Sequence, residues 1–410
     1  MTPDLPDAQT RCHDVLIIGG GLVGASLAIA LDGLGLDVAQ VEAAPAGALP
    51  PVFDQRNLSF ADATVNALTA LGVLQELRVP PGPIRRIHVS RAGDFGRVLM
   101  EASEYGREAF GQVVVASDFG HALEARLARV QGLVRYRPAR FLGCVDGDGV
   151  REVRIADDGG ERTLRTRLLV GADGAASGVR GVLGIAADEH DYGQTLLVAR
   201  VRASRAPDGT AWERFTAHGP TALLPRGDRH YGVVHGVARG QAAAAMELDE
   251  AGYLARIQAA FGWRAGRFVS AGPRSAYPMV RTVARRTTAP RAVLVGNAAQ
   301  SMHPVGAQGF NLGLRDALTL AELVAANRDD PGSAAVLEAY AARRREDRER
   351  TLEFSDGLAR LTANDAPLLR PLRSLGLLAV DRLPALQARV AGGAMGYRGD
   401  VPALCRQAQP

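Results

Sequence analysis

All 48 basic residues among the 410 are arginine, which excludes chemistry that needs a lysine, whether a phosphate-gripping loop lysine or a Schiff base. A net charge of +4 is too small for a nucleic-acid footprint, while 47% apolar residues can fill the cores of two or three domains. Three widely spaced cysteines form no CxxC pair and eight histidines no HxH or HExxH pair, so neither a disulfide framework nor a metal centre is indicated.

The first apolar stretch, DVLIIGGGLVGASLAIAL from Asp14 to Leu31, is too glycine-broken and too short for a spanning helix of about 20 residues. No positive segment precedes it, since Asp4 and Asp7 lie in the leader, so a cytoplasmic location is expected. DVLII reads instead as a buried parallel strand and LVGASLAIALDGLG as a helix, with Gly19-x-Gly21-x-x-Gly24 between them. Glycines there allow a tight turn and close approach of a pyrophosphate to the helix N-terminus. The next strand, DVAQVE, ends at Glu42, where an acid can accept hydrogen bonds from an adenosine ribose and disfavours a 2′-phosphate. Together these predict a dinucleotide site for FAD or NAD.

Further on, RTRLLVGADGAASGVR predicts a strand running into Asp173-Gly174, then a helix opened by Ser177 and Arg180. QTLLVARVRAS, AWERFTAHG, PTALLP and HYGVVHGVA are short, β-rich and punctuated by Pro and Gly, as in an antiparallel sheet covering a pocket. GQAAAAMEL opens a helix. RAVLVGNAAQSMHPVGAQGFNLGLRDALTLAELV predicts a strand, a glycine-bearing loop and an amphipathic helix from about Asn311. ARRREDRERT, 342 to 351, predicts a solvated helical face with Glu346 and Arg350 at i,i+4. The segment 368 to 396 mixes leucines with Arg370, Arg373, Arg382 and Arg389, and Pro371 and Pro384 are expected to divide it into short helices. Those helices either rest on an anionic bilayer or partner, or close the nucleotide domain.

The glycine turn, the Asp-Gly motif and the GNAAQ loop, in that order over about 300 residues, resemble the flavin-dependent aromatic hydroxylases of the p-hydroxybenzoate hydroxylase type. The resemblance implies an α/β fold (α+β overall): a Rossmann-like FAD-binding domain, an inserted antiparallel β-sheet substrate domain and a C-terminal helical segment. The implied divisions are 12–80, 110–188 and 275–330 for FAD, 81–109 and 189–274 for substrate, and 331–410 for the helices. Carried over, Gly19, Gly21, Gly24 and Glu42 match the ADP-binding turn and ribose acid, Arg56 an arginine near the phosphates, and Gln112 a glutamine at the flavin side. Asp173 and Arg180 match a motif serving FAD and NADPH. Asn297 stands where most of the family has an aspartate at the ribityl chain, and Pro304, Gly306, Gln308, Gly309 and Asn311 match the loop along the flavin.

WERFTAHGPTALLP and AFGWRAGRFVSAGPRSAYP narrow the resemblance to the ubiquinone-biosynthesis branch, in particular its 2-polyprenyl-6-methoxyphenol hydroxylases, which also carry asparagine in GNAAQ. Gly306-Ala307 departs from that branch's usual Ala-Gly order. The branch implies bound FAD, transient NADPH or NADH, O2 and a polyprenyl phenol hydroxylated at C1 through a flavin C4a-hydroperoxide. It also implies a possible biosynthetic complex and peripheral contact at the inner face of the cytoplasmic membrane, without nucleic acid. A sister hydroxylation at another carbon, another flavoprotein activity and a non-catalytic FAD scaffold are the alternatives. His303 is a weak catalytic candidate, since imidazole can take a phenol proton; ordering of the loop before Pro304 is the plainer reading, and His218 is read as structural.

Overall fold

The computed structural model describes residues 11–216, 219–363 and 369–406. His218 therefore lies outside the described residues. Strand β1 (Cys12–Ile18) alternates its side chains between two cores: Val15 and Ile17 pack on one face, Leu16 and Ile18 on the other. Such a strand must be central and parallel, covered on both sides. It runs parallel to β2 (Val38–Val41) and to Gly160–Gly171, and helix α1 (Leu22–Ala30) makes the crossover to β2. The sheet continues through Ala292–Leu294 on one side and Val134–Tyr136 on the other. Helices α1, Ala116–Leu127 and Gln308–Ala326 contribute Leu27, Phe119 and Leu314 to the core on the Val15 face.

The second sheet also has eight strands, in the order Gln300–Ser301, Phe268–Ala284, Ala187–Ala203, Tyr231–Ala238, Gly219–Pro225, Thr210–Thr216, Arg86–Arg91 and Arg97–Glu101. It is antiparallel but for one pair: Thr210–Phe215 runs parallel to Arg86–Arg91. The expected antiparallel sheet is thus present, with this one parallel pair inside it. Arg86–Arg91 arrives from more than a hundred residues upstream, so no hairpin constrains its direction. One face of this sheet packs Leu197, Val201, Leu223 and Val233 on helix Glu250–Phe261 through Tyr253 and Ile257.

Three helices follow: Ala334–Ala363, Leu369–Arg382 and Pro384–Ala394. In the arginine-rich run, Glu346 and Arg350 form the expected exposed pair at 2.7 Å. Arg344 and Asp347 of the same run are buried, which the solvated-face reading did not anticipate. They occupy the stripe that packs on Gln308–Ala326, where their partners lie. Pro371 does not divide the tail; it sits in the first turn of its helix, where a missing N–H costs nothing, and the break falls at Pro384. These helices close the edge of the second sheet and not chiefly the nucleotide domain. The Leu99 N–H donates to Asp381 Oδ1 at 2.9 Å and its carbonyl accepts from Gln387 Nε2 at 3.0 Å. An edge that could pair with another chain is thereby occupied. Leu377, Val380 and Val390 pack on Val98 and Met100, while Leu372, Leu375, Leu378, Leu383 and Leu386 remain exposed. Among the described residues no helix is long and apolar enough to cross a membrane.

Candidate active site

The turn after β1 explains its own glycines. Gly19 has φ +107°, and a Cβ there would stand 2.5 Å from the Ala172 carbonyl oxygen; one at Gly24 would stand 2.1 Å from that of Gly19. Gly21 is different, since its Cβ would meet only Val52, at an ordinary 3.5 Å. The protein itself does not demand glycine there; a pyrophosphate approaching the backbone would. Helix α1 begins with no side-chain cap and no acid in its first turn, leaving N–H groups and the positive dipole end for an anion. Glu42 is buried at the end of β2, and its two oxygens accept from Gly20 N at 2.6 Å and Ala44 N at 2.7 Å, so the acid braces the turn. These residues fit the ADP half of FAD.

Arg56 follows Val52 on the segment that passes Gly21. Its guanidinium clasps Asp54, with Nε 2.9 Å from Oδ1, and lies 4.2 Å from the Tyr277 ring centroid. Tyr277 also hydrogen-bonds Asp54 through its hydroxyl. Burial alone would raise the Asp54 carboxyl, but Arg56 and Tyr277 outweigh it and hold it below the usual range. Arg56 is thus a held cation, tied to the second sheet through Tyr277.

Asp173 caps the short helix Gly178–Val182, accepting from Ser177 Oγ at 2.5 Å and Val179 N at 3.1 Å. Arg180 reaches from that helix to Ala298 O at 3.0 Å, so the Asp-Gly motif and the Asn297 loop are joined directly. From 292 to 300 every residue is buried except Asn297, which is exposed. Two glycines outside the expected set fix this loop. Gly296 has φ +60° and its Cβ would be 2.8 Å from Val23 Cγ2; that of Gly313 would be 2.9 Å from Gly296 Cα. Loop, α1 and Gln308–Ala326 therefore meet with no room for a methyl, and the glycine inside GNAAQ was the available signal.

The loop from Pro304 turns through two consecutive left-handed residues, Gly306 at φ +71° and Ala307 at +51°. The helix then starts at Gln308, one turn before the Asn311 expected. Asn311 lies inside its first turn, accepting from Ala61 N at 2.9 Å and donating to Ser59 O at 3.0 Å, which pins helix and loop to strand Asn57–Ala61. Gln308 donates to Gly306 O at 3.0 Å, leaving Oε1 buried without a partner; Gln112 Oε1, on strand Gly111–Val115, is likewise unpartnered. Orphaned buried acceptors are rare and suit a ligand that carries N–H groups. Pro304 and Gly306 are exposed, and a Cβ on Gly309 would touch nothing within 4 Å. His303 is 2% exposed, with Nδ1 receiving the Val305 N–H at 3.3 Å and its ring edge-on to Tyr192 at 5.0 Å. Burial lowers its pKa to about 4, so the imidazole is neutral and orders the loop.

Behind this loop a buried ionic network joins the helices. Asp347 accepts from Arg315 Nε at 2.7 Å and Arg344 Nη2 at 2.8 Å; Asp316 accepts from Arg344 Nε at 2.7 Å, Gln300 Nε2 at 2.7 Å and Gly296 N at 3.2 Å. Burial opposes ionisation of Asp347, but the two guanidinium groups hold its pKa below normal.

Between the loop and the second sheet lies a cavity of about 210 Å³. Ile87, Val89, Met100, Ala222 and Leu224 give it an apolar floor, the 304–308 loop and Phe354 one wall, Val390 and Ala394 another. Of the described lining residues only Glu213 and Arg398 are ionisable. Arg398 stacks over Phe354 at 4.9 Å. Glu213, absent from the expected set, has Oε1 sealed from water without a hydrogen-bond partner, and burial pushes its carboxyl up to about 8.

Residues 12–355 match the FAD binding domain family. The ubiquinone hydroxylase UbiL of Rhodospirillum rubrum is 36% identical over 400 residues, covering 96% of this chain and 92% of its own. The 3-demethoxyubiquinol 3-hydroxylase of Escherichia coli is 30% identical over 93% of this chain and 98% of its own. The crystal structure of p-nitrophenol 4-monooxygenase PnpA from Pseudomonas putida shares the fold, with a TM-score of 0.78, 18% identity and coverage of 95% and 98%. The chain belongs to the FAD binding domain family and is an FAD-dependent monooxygenase.

Proposed function

We propose that the protein hydroxylates the ring of a polyprenylated methoxyphenol in ubiquinone biosynthesis, at C1 of 2-polyprenyl-6-methoxyphenol, using NADPH or NADH and O2. The observation that carries this reading is the apolar cavity whose wall is the 304–308 loop. The Gly19–Gly24 turn and Glu42 would hold the ADP half of FAD; Asp173, Arg180, Asn297 and the 304–311 loop would hold the remainder. The chemistry supplied by FAD when bound is acceptance of hydride from the nicotinamide and activation of dioxygen. The chain's own work is positioning and exclusion. Helix Gln308–Ala326 points its positive end at the loop, favouring negative charge there. The aliphatic floor keeps water from the reacting ring, and neutral His303 fixes the loop.

The division into FAD segments 12–80, 110–188 and 275–330 around substrate segments 81–109 and 189–274, followed by helices in 331–410, belongs to this proposal. So does a cytoplasmic protein that touches the inner face of the membrane through its exposed leucine row, near Arg370, Arg382 and Arg389, alone or within a biosynthetic complex. A sister hydroxylation is favoured by one observation, that a relative aligned along nearly its whole length is a 3-hydroxylase. A deletion strain grown in air decides between them: 2-polyprenyl-6-methoxyphenol should accumulate. A precursor blocked at another carbon would reassign the ring position, and no quinone defect would remove the pathway altogether.

A further inference from the structure

Glu213 lies on strand Thr210–Thr216, flanked in register by Val89 and Ala222. The neighbouring Trp212 turns to the other face and meets Phe261 edge-on at 5.9 Å. Strand alternation therefore delivers one carboxyl into an apolar wall. A buried carboxyl normally has a cation or several donors; here Oε1 has no partner and burial alone shifts its titration. A stability role does not explain such a group, because leaving it unpaired costs free energy.

We propose that Glu213 is the hydrogen-bonding anchor for the phenolic hydroxyl of the substrate, fixing which ring edge turns toward the 304–308 loop. This rests on the hydroxylase reading above. At neutral pH the carboxyl is largely protonated, so it can donate through its O–H and accept through its carbonyl, a pairing that a phenol completes and a hydrocarbon does not. Its register neighbours Val89 and Ala222 line the cavity and are not titratable, and Arg398 is the other ionisable residue among the described lining residues. A site with a buried polar group rejects analogues that leave it unpaired.

The test uses the FAD-loaded full chain titrated at pH 7 with 2-butylphenol and its methyl ether 2-butylanisole, read by the flavin absorbance change. The wild type should prefer the phenol at least about tenfold, the worth of one hydrogen bond to such a group. Glu213→Leu should erase that preference while binding the anisole as well or better, and should melt at the same or a higher temperature. Glu213→Gln should keep part of the preference. Equal wild-type affinity for both probes overturns the proposal, as does a Leu variant that still prefers the phenol. A Leu variant melting well below wild type also overturns it, because the carboxyl would then have a structural partner. Failure of the hydroxylase reading looks different: no phenol stimulates NADPH oxidation by the wild type, whatever the binding ratios.

Discussion

The two ends of the site are built from different materials. At the end proposed for the nucleotide the groups on offer are backbone N–H, and the side chains Glu42 and Asp173 hold that backbone in place. At the cavity end the backbone is already paired in a sheet, and the chemistry falls to side chains with open valences: Glu213 and Gln308 each keep a buried oxygen unpartnered. A nucleotide's phosphates ask only for N–H groups on a turn, so a short local pattern suffices. An aromatic substrate asks for shape and one or two placed polar groups, which come from strands far apart in sequence.

The sharpest break in this contrast should come from the network that serves both ends. Asp347→Ala leaves Arg315 and Arg344 buried beside each other, and the expected loss is about 3–5 kcal/mol in urea unfolding, together with weaker FAD retention. An unchanged midpoint would mean that the two ends are stabilised separately.

Next, Gly306→Val should separate them. Its Cβ would be 3.8 Å from Phe354, an ordinary contact, so the cost lies in φ +71°, which valine adopts poorly. The distant turn should retain FAD, while misplacement of about 1 Å at the loop lowers hydroxylated product about a hundredfold and diverts NADPH to hydrogen peroxide. The ratio of product to NADPH consumed is the readout; full coupling would place the reacting ring elsewhere.

Glu42→Ala tests the nucleotide end alone. Loss of both backbone hydrogen bonds should weaken FAD binding by about 1.5–3 kcal/mol, with coupling unchanged in the protein that remains loaded. Equilibrium dialysis against FAD measures it.

The smallest effect concerns pH. A carboxyl raised to about 8 by burial is neutral when folded and ionised when unfolded, so the folded state binds the extra proton and stability falls as pH rises from the unfolded value toward 8. Glu213→Gln should remove on the order of 1 kcal/mol of that decline. Identical slopes in wild type and variant would put the carboxyl in contact with solvent.

The nucleotide half was legible because each of its elements is local. The strand, the glycine spacing, the acid closing β2 and the Ser177 cap follow one another within short windows, and the structure forms them at those positions. The helix start was missed by one turn because Ala307, at φ +51°, is a conformation its side chain does not advertise. Arg344 and Asp347 look like surface residues in the sequence because a run of mixed charge reads as solvated until its partners, Arg315 and Asp316 about thirty residues away, are known. Glu213 is illegible in the sequence for a related reason. Alternation says that it points with Ala211 and away from Trp212, but only the fold shows that a cavity stands in front of it.

The chamber is also completed late in time. Its floor and loop come from residues up to 308, yet Val390, Ala394 and Arg398 form part of its wall, and the edge strand Arg97–Glu101 waits for Asp381 and Gln387. A ribosome delivers those residues after everything needed for the nucleotide turn and Asn297 loop has emerged. The order of synthesis thus places every residue of that turn and loop ahead of the helices that close the chamber.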